Sequence, residues 1–286
     1  MIACQRWALR TRYVGKLGDD SAAALHGEEF KRAGVETQIV SVPGCASQQA
    51  FILVDPQGER TVLWRRDEKL TLHPHELKRE WIVNARALHV DGYDTAAATL
   101  AATWAREAGI PVIADLDDVY PNLEPLLAKV DYLIVSRNFP ERLCGEGSLE
   151  KSLPLLHRRY GCRLTAATLG SDGVLAWDGE RFHYARAYEV PVVDTTGAGD
   201  LFHAGFIFGL LQGTLPDDTA PETGKPAAWS LQRQLDFACA AAAMNCSELG
   251  ARGGIRSLEE IKRLMDTGKR YPATWDPSAS DASKPI

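Results

Sequence analysis

Asp200 closes a run of small residues, Thr195-Thr196-Gly197-Ala198-Gly199-Asp200, which opens directly into the apolar stretch from Leu201 to Leu211. This pattern predicts a turn feeding a helix. Gly197 and Gly199 let backbone approach a ligand closely. The unpaired N–H groups of a first helical turn, at the positive end of the helix dipole, attract an anion. A carboxylate at the edge of such a site can take a proton from a hydroxyl attacking a phosphate. Together these are the minimum equipment for phosphoryl transfer. The plainer alternative is a helix start whose glycines only make a turn.

Other residue groupings carry chemistry. Asn138 and Glu141 lie in Ser136-Arg137-Asn138-Phe139-Pro140-Glu141, just after an apolar run that predicts a buried strand. Ligands gather at the carboxyl ends of such strands in α/β sheets. Mg²⁺ keeps several waters and needs few protein oxygens, so these two could hold it; they could equally start a helix as a cap and its third residue. In Thr168-Leu169-Gly170-Ser171-Asp172-Gly173 the glycine pair permits close approach to phosphate or ribose, and also suits a hairpin turn. Asp115 and Asp117 end another predicted strand and would touch substrate or the metal's waters, or cap a loop. Asp19 and Asp20, next to Ser21, read as helix caps. Arg65-Arg66-Asp67, just past a predicted lid, could reach the substrate but reads better as a solvated cluster. His203, three positions after Asp200, is expected in the wall of the site, and Trp7, Trp81 and Trp104 in packing.

These groups need elements to position them. Strand-like and helix-like segments alternate, which points to an α/β fold with a largely parallel sheet. Strands are predicted at 11–15, 38–42, 49–55, 60–64, 87–90, 111–116, 132–135 and 164–169, and helices at 21–33, 95–108 and 235–245. Residues 173–179 read as further β-structure. The consecutive strands between 38 and 65, with a turn at Gln57-Gly58, break the rhythm and predict a small antiparallel lid. Thr214 to Pro226 reads as an exposed loop, and 271–286 as a disordered tail.

The 286 residues suffice for one large domain. With 45% hydrophobic and 24% charged residues the composition is that of an ordinary globular protein. A net charge of −6 argues against a nucleic-acid partner. The six cysteines lack metal-ligand spacing and are expected to be free thiols. No stretch predicts a membrane span and the first residues do not read as a signal peptide, so the expectation is a cytoplasmic protein. No G-x-G-x-x-G follows an early strand, which disfavours a dinucleotide enzyme.

Asp194-Thr195-Thr196-Gly197-Ala198-Gly199-Asp200, with Phe202 and Ala204-Gly205 after it, resembles the C-terminal signature of the PfkB, or ribokinase-like, carbohydrate kinases. Asn138 and Glu141 match the family's N-x-x-E. The 168–173 segment is similar to its nucleotide-flanking loop, and Gly15 to Asp20 to its early V-G-x-x-G-D-D. Gly250-Ala251-Arg252-Gly253-Gly254 is similar to the loop bordering adenine and a monovalent cation.

The resemblance implies a ribokinase-like three-layer sandwich with a mostly parallel sheet and a small β lid at about 38–65. It implies ATP and a sugar as substrates, Asp200 as base, and Gly197, Ala198 and Gly199 as the anion hole. Thr168, Gly170, Gly173, Thr196, Asn245 and Gly250 would line the nucleotide, Asn138 and Glu141 would hold Mg²⁺ through its waters, and K⁺ would be the monovalent ion. Phe51 on the lid and Asp200 would face the acceptor, and two lids would pair in a homodimer. Similarity of Glu59 to Trp64 and Val135 to Arg137 to ketohexokinase-type members points to a ketose.

The resemblance covers Thr11 to Arg256, and the domain is expected over 1–270. A family member would begin with one more strand, carrying a sugar-contacting Asp, and a G-G-N-like turn; here Met1 to Leu9 reads as the tail of the helix that follows them. The expectation is a start placed downstream of the natural one. The alternative is a catalytically impaired nucleotide-binding protein that lacks the N-terminal sugar-binding segment.

Overall fold

In the computed structural model, which describes residues 1–54, 60–212 and 229–275, the chain begins with α1 (Ile2–Arg6), β1 (Arg12–Leu17), α2 (Ser21–Ala33) and β2 (Glu36–Ser41). Asp20 caps α2, its carboxylate accepting from the Ala23 N–H at 3.0 Å, and Gly34 ends the helix at φ 75°. The strands β3 (Gln49–Val54) and β4 (Arg60–Arg65) pair antiparallel, with Phe51 opposite Leu63. After them come β5 (Leu88–Val90), α3 (Thr95–Glu107), β6 (Val112–Leu116), α4 (Glu124–Leu127), β7 (Tyr132–Ser136), α5 (Phe139–Cys144) and α6 (Leu149–Tyr160). The described chain continues with β8 (Leu164–Thr168), β9 (Val174–Trp177), β10 (Phe182–Ala185), α7 (Ala198–Leu211), α8 (Leu231–Cys246) and α9 (Leu258–Thr267).

The central sheet has the order β10-β9-β8-β7-β6-β5. Neighbours from β5 to β8 run parallel, while β9 and β10 are antiparallel. Parallel strands are buried on both faces, which is why they read as nearly continuous apolar runs. Side-chain alternation then sorts the core into two layers. Ile113 and Ile134 pack with Trp7, just after α1, and with Phe206 and Phe237 of α7 and α8. Val112, Ala114, Leu133 and Val135 pack with Ala102, Leu126 and Leu153 of α3, α4 and α6. Gly205 lets α7 lie close against α8: a Cβ there would come 2.8 Å from Ala238 Cα.

Three expectations are corrected. β2 belongs to no antiparallel lid; it pairs in parallel with β1 in a two-stranded sheet of its own, as a strand–helix–strand crossover requires. The antiparallel lid is therefore the β3–β4 hairpin alone, from Gln49 to Arg65, and it is hydrogen-bonded to neither other sheet. The tail does not begin at 271. Trp275 packs on Phe182 and Tyr184 and donates to Glu150 at 2.9 Å, so aromatic burial orders residues 271–275. The turn expected at Gln57-Gly58, the loop at 214–226 and the rest of the expected tail, 276–286, lie outside the described residues.

Candidate active site

Two buried polar side chains build the turn before α7. Asp194, 3% exposed, accepts from the N–H groups of Thr196 and Gly250, each at 2.8 Å. Asn245 near the end of α8 is wholly buried; its Nδ2–H donates to Thr196 O at 2.9 Å and its Oδ1 accepts from Gly254 N–H at 3.2 Å. Both ends of this amide are spent inside the protein, where they hold the turn. Thr196 is buried with it.

Gly197 caps α7 at φ 77°, and a Cβ there would lie 2.5 Å from Ala251 O. No other residue type fits both the conformation and the space. The N–H groups of Gly197 and Gly199 make no hydrogen bond to a described residue, while that of Ala198 donates to Thr195 O at 3.2 Å. Asp200 stands exposed in the first turn of α7, beside those free donors.

The loops after β7 and β8 lie at neighbouring strand ends and are tied together. Arg137 donates to Leu169 O at 2.8 Å and pairs with Asp172. Asn138 precedes α5 without capping it, and Glu141 lies in the first turn of that helix. Both are exposed, and neither side chain is hydrogen-bonded to another described residue. An uncommitted carboxylate with an amide oxygen beside it fits a hydrated Mg²⁺. The Thr168 hydroxyl donates to Val135 O at 3.3 Å. Gly170, at φ 65°, borders open space. Gly173, at φ 94°, is required by the chain itself, since a Cβ would lie 2.0 Å from Ala185 O. Gly250 contributes its N–H to Asp194.

One turn along the same face of α7, the strand ends carry a group of which the sequence reading named only His203 and Asp115. His203, one helical turn beyond Asp200, places Nε2 3.2 Å from Asp115 Oδ1 at the end of β6. His89 of β5 meets the His203 ring edge-on at 5.2 Å. His89 keeps solvent exposure, yet crowding by protein, and then the His203 ring, push its imidazole down to about 3. Burial pushes Asp115 up, yet His203 beside it holds the carboxyl below its usual range. Burial, reinforced by Asp94 and Asp115, holds Asp91 above that range.

Arg66 is not a solvated side chain. It forks onto both oxygens of Asp94 at 2.7 and 2.8 Å, donates to Leu70 O at 2.9 Å and lies over the Tyr93 ring. This pins the base of the hairpin, whose Trp64 touches Tyr93 edge-on at 6.1 Å. Phe51 itself is 72% exposed. Asp117 accepts from the Tyr120 hydroxyl at 2.6 Å, a loop contact. The signal for His89, Asp91 and Asp94 was the run His-Val-Asp-Gly-Tyr-Asp at the end of a predicted strand.

The chain matches the pfkB family of carbohydrate kinases over residues 1–258. It is 24% identical to the 5-dehydro-2-deoxygluconokinase of Geobacillus kaustophilus, over 93% of this chain and 82% of that protein. A ribokinase-like protein of Agrobacterium tumefaciens superposes with a TM-score of 0.80 at 28% identity, covering 93% and 83% of the two chains. A ribokinase-like protein of Escherichia coli, solved with ATP and Mg²⁺, superposes with a TM-score of 0.78 at 18% identity, covering 93% and 86%. Among the described residues no helix is long and apolar enough to cross a membrane. With its ribokinase-like sheet, its glycine turn at the start of α7 and this match along nearly its whole length, the chain belongs to the pfkB family of carbohydrate kinases, phosphotransferases with a hydroxyl acceptor.

Proposed function

We propose that this kinase moves the γ-phosphoryl group of ATP onto a sugar hydroxyl, with Asp200 as the base. The observation that carries the reading is the position of Asp200 in the first turn of α7, next to the unpaired N–H groups of Gly197 and Gly199. Asp200 takes the hydroxyl proton as the oxygen attacks phosphorus. The two glycine N–H groups meet the charge that develops on the transferred group, and the Ala198 N–H joins them by giving up its long bond to Thr195. Mg²⁺, when bound, neutralises phosphate charge; Asn138 and Glu141 would hold it through its waters.

Thr168, Gly170 and Gly173 flank the nucleotide, with Thr196, Asn245 and Gly250 shaping the opposite wall. The 250–254 loop borders the base and would supply carbonyls to a monovalent cation such as K⁺. Phe51 and the β3–β4 hairpin close over the acceptor and keep water from the phosphoryl group. Hairpins of two copies pair across their apolar faces in a homodimer.

The test is ATP consumption against a panel of sugars and nucleosides, beginning with ketoses, for the chain and for Asp200→Asn. The expected result is turnover on one sugar class, lost by orders of magnitude in the variant while ATP still binds. Near-normal turnover by Asp200→Asn removes the base role. ATP binding without turnover on any acceptor would instead favour a nucleotide-binding protein.

A further inference from the structure

We propose that His89, Asp115 and His203 form a binding site for a divalent transition-metal ion, with Zn²⁺ as its type. The three residues come from β5, β6 and α7. One ligand atom from each lies within 4.8 Å of the others. The site is separate in its chemistry from the oxygen ligands assigned to Mg²⁺, and it does not depend on the phosphotransfer reading.

The donors decide the class of ion. Two imidazole nitrogens and one carboxylate oxygen suit Zn²⁺, Co²⁺, Ni²⁺ or Cu²⁺, whereas Mg²⁺ and Ca²⁺ prefer sites made wholly of oxygen. Three protein ligands leave a fourth tetrahedral position for water. Donors about 2.0 Å from a tetrahedral ion are about 3.3 Å from one another. His203 Nε2 and Asp115 Oδ1 already stand 3.2 Å apart, the edge such a site needs. Only His89 has to move closer, and it is exposed to solvent.

A second observation concerns His203 alone. Its side chain is 3% exposed, and its Nδ1 is buried without a hydrogen-bond partner. Buried polar atoms are nearly always paired. This ring makes one polar contact, to a carboxylate at metal-site distance, and the fold leaves its other nitrogen unused. Coordination runs through Nε2, which already faces Asp115, and leaves Nδ1 as it stands. An ion here would link α7 to the ends of β5 and β6, one helical turn from Asp200.

The experiment uses the whole chain without nucleotide and Co²⁺ as the probe, read by equilibrium dialysis and visible absorption. The expected result is one Co²⁺ per chain at micromolar concentration, with ligand-field bands of a nitrogen and oxygen site, displaced by Zn²⁺. His203 is buried, so the decisive variants are His89→Ala, at the exposed position, and Asp115→Asn, each checked for native circular dichroism. Each should weaken Co²⁺ by roughly tenfold or more. Three results overturn the proposal: no stoichiometric Co²⁺, unchanged affinity in a folded His89→Ala, or a thiolate-to-cobalt charge-transfer band placing the ion on one of the six free cysteines.

Discussion

Asn245 and Thr196 stand 49 residues apart in the chain, yet the amide of one donates to the carbonyl of the other at 2.9 Å. The same amide accepts from Gly254 N–H, so one side chain joins the glycine turn to the loop that follows α8. Its hydrogen bonds set where the N–H groups of Gly197 and Gly199 point.

Asn245→Ala strips partners from a buried carbonyl and a buried N–H. We expect a loss of about 2–4 kcal/mol in stability, read by urea denaturation, because each orphaned group keeps its desolvation cost. Asn245→Asp can still accept from Gly254 but cannot donate to Thr196, so it should recover part of the loss. A midpoint unchanged in both would mean the turn is held by other contacts.

Gly197 and Gly170 separate conformation from space. Both have positive φ, 77° and 65°, but a Cβ at Gly197 meets Ala251 O at 2.5 Å while one at Gly170 meets nothing within 4 Å. Gly170→Ala should cost only the left-handed penalty, about 1–2 kcal/mol. Gly197→Ala must also push the 250–254 loop aside, and thermal melts should rank it clearly the worse of the two.

Glu141→Gln removes a carboxylate that has no partner among the described residues, so little stability should be lost. If Glu141 orders the waters of Mg²⁺, the Mg²⁺ concentration for half-maximal turnover should rise by roughly tenfold. An unchanged Mg²⁺ titration would take Glu141 out of the metal's surroundings.

Cys239 is buried, and burial pushes its thiol from the ordinary 9.0 up to about 12. The folded form therefore prefers the proton more than the unfolded chain does. Its contribution to stability is intact below pH 9 and falls as pH climbs towards 12. The thiolate is the reactive species, so at pH 8 a disulfide reagent should leave Cys239 unmodified until unfolding, while half-exposed Cys144 reacts first. Early labelling of Cys239 in the native protein would contradict its burial.

The β3–β4 hairpin shows Phe51 and Leu63 to solvent at 72% and 59% exposure, opposite each other in register. A two-stranded hairpin is marginal alone and gains by burying such a face. Sedimentation should give a dimer for the chain and a monomer for Phe51→Asp with Leu63→Asp. A monomeric parent at the same concentration would dispose of lid pairing.

Local patterns carried much of the architecture. The helix at 21–33 was legible to the residue, since Asp20 and Gly34 are local start and stop signals that act within one turn. The strands β6 to β9 of the central sheet were legible because burial on both faces writes itself as an apolar run, whereas the half-buried edge strand β10 was not predicted. β2 was assigned to the wrong sheet because its pattern fixes strand character but not partner. Arg66 was misread for the same reason: its forked contact with Asp94 is 28 residues away in sequence.

The sequence by itself determined the family, the glycine turn and the carboxylate beside it, because those depend on residue types at fixed short spacing. Only the tertiary structure decided that Asn245 is a buried fastener, that the lid is a single hairpin, and that His89 and Asp115 face His203. Those relations arise where strand ends meet a helix from far along the chain, and side-chain direction there is set by packing across the sheet, which no local spacing encodes.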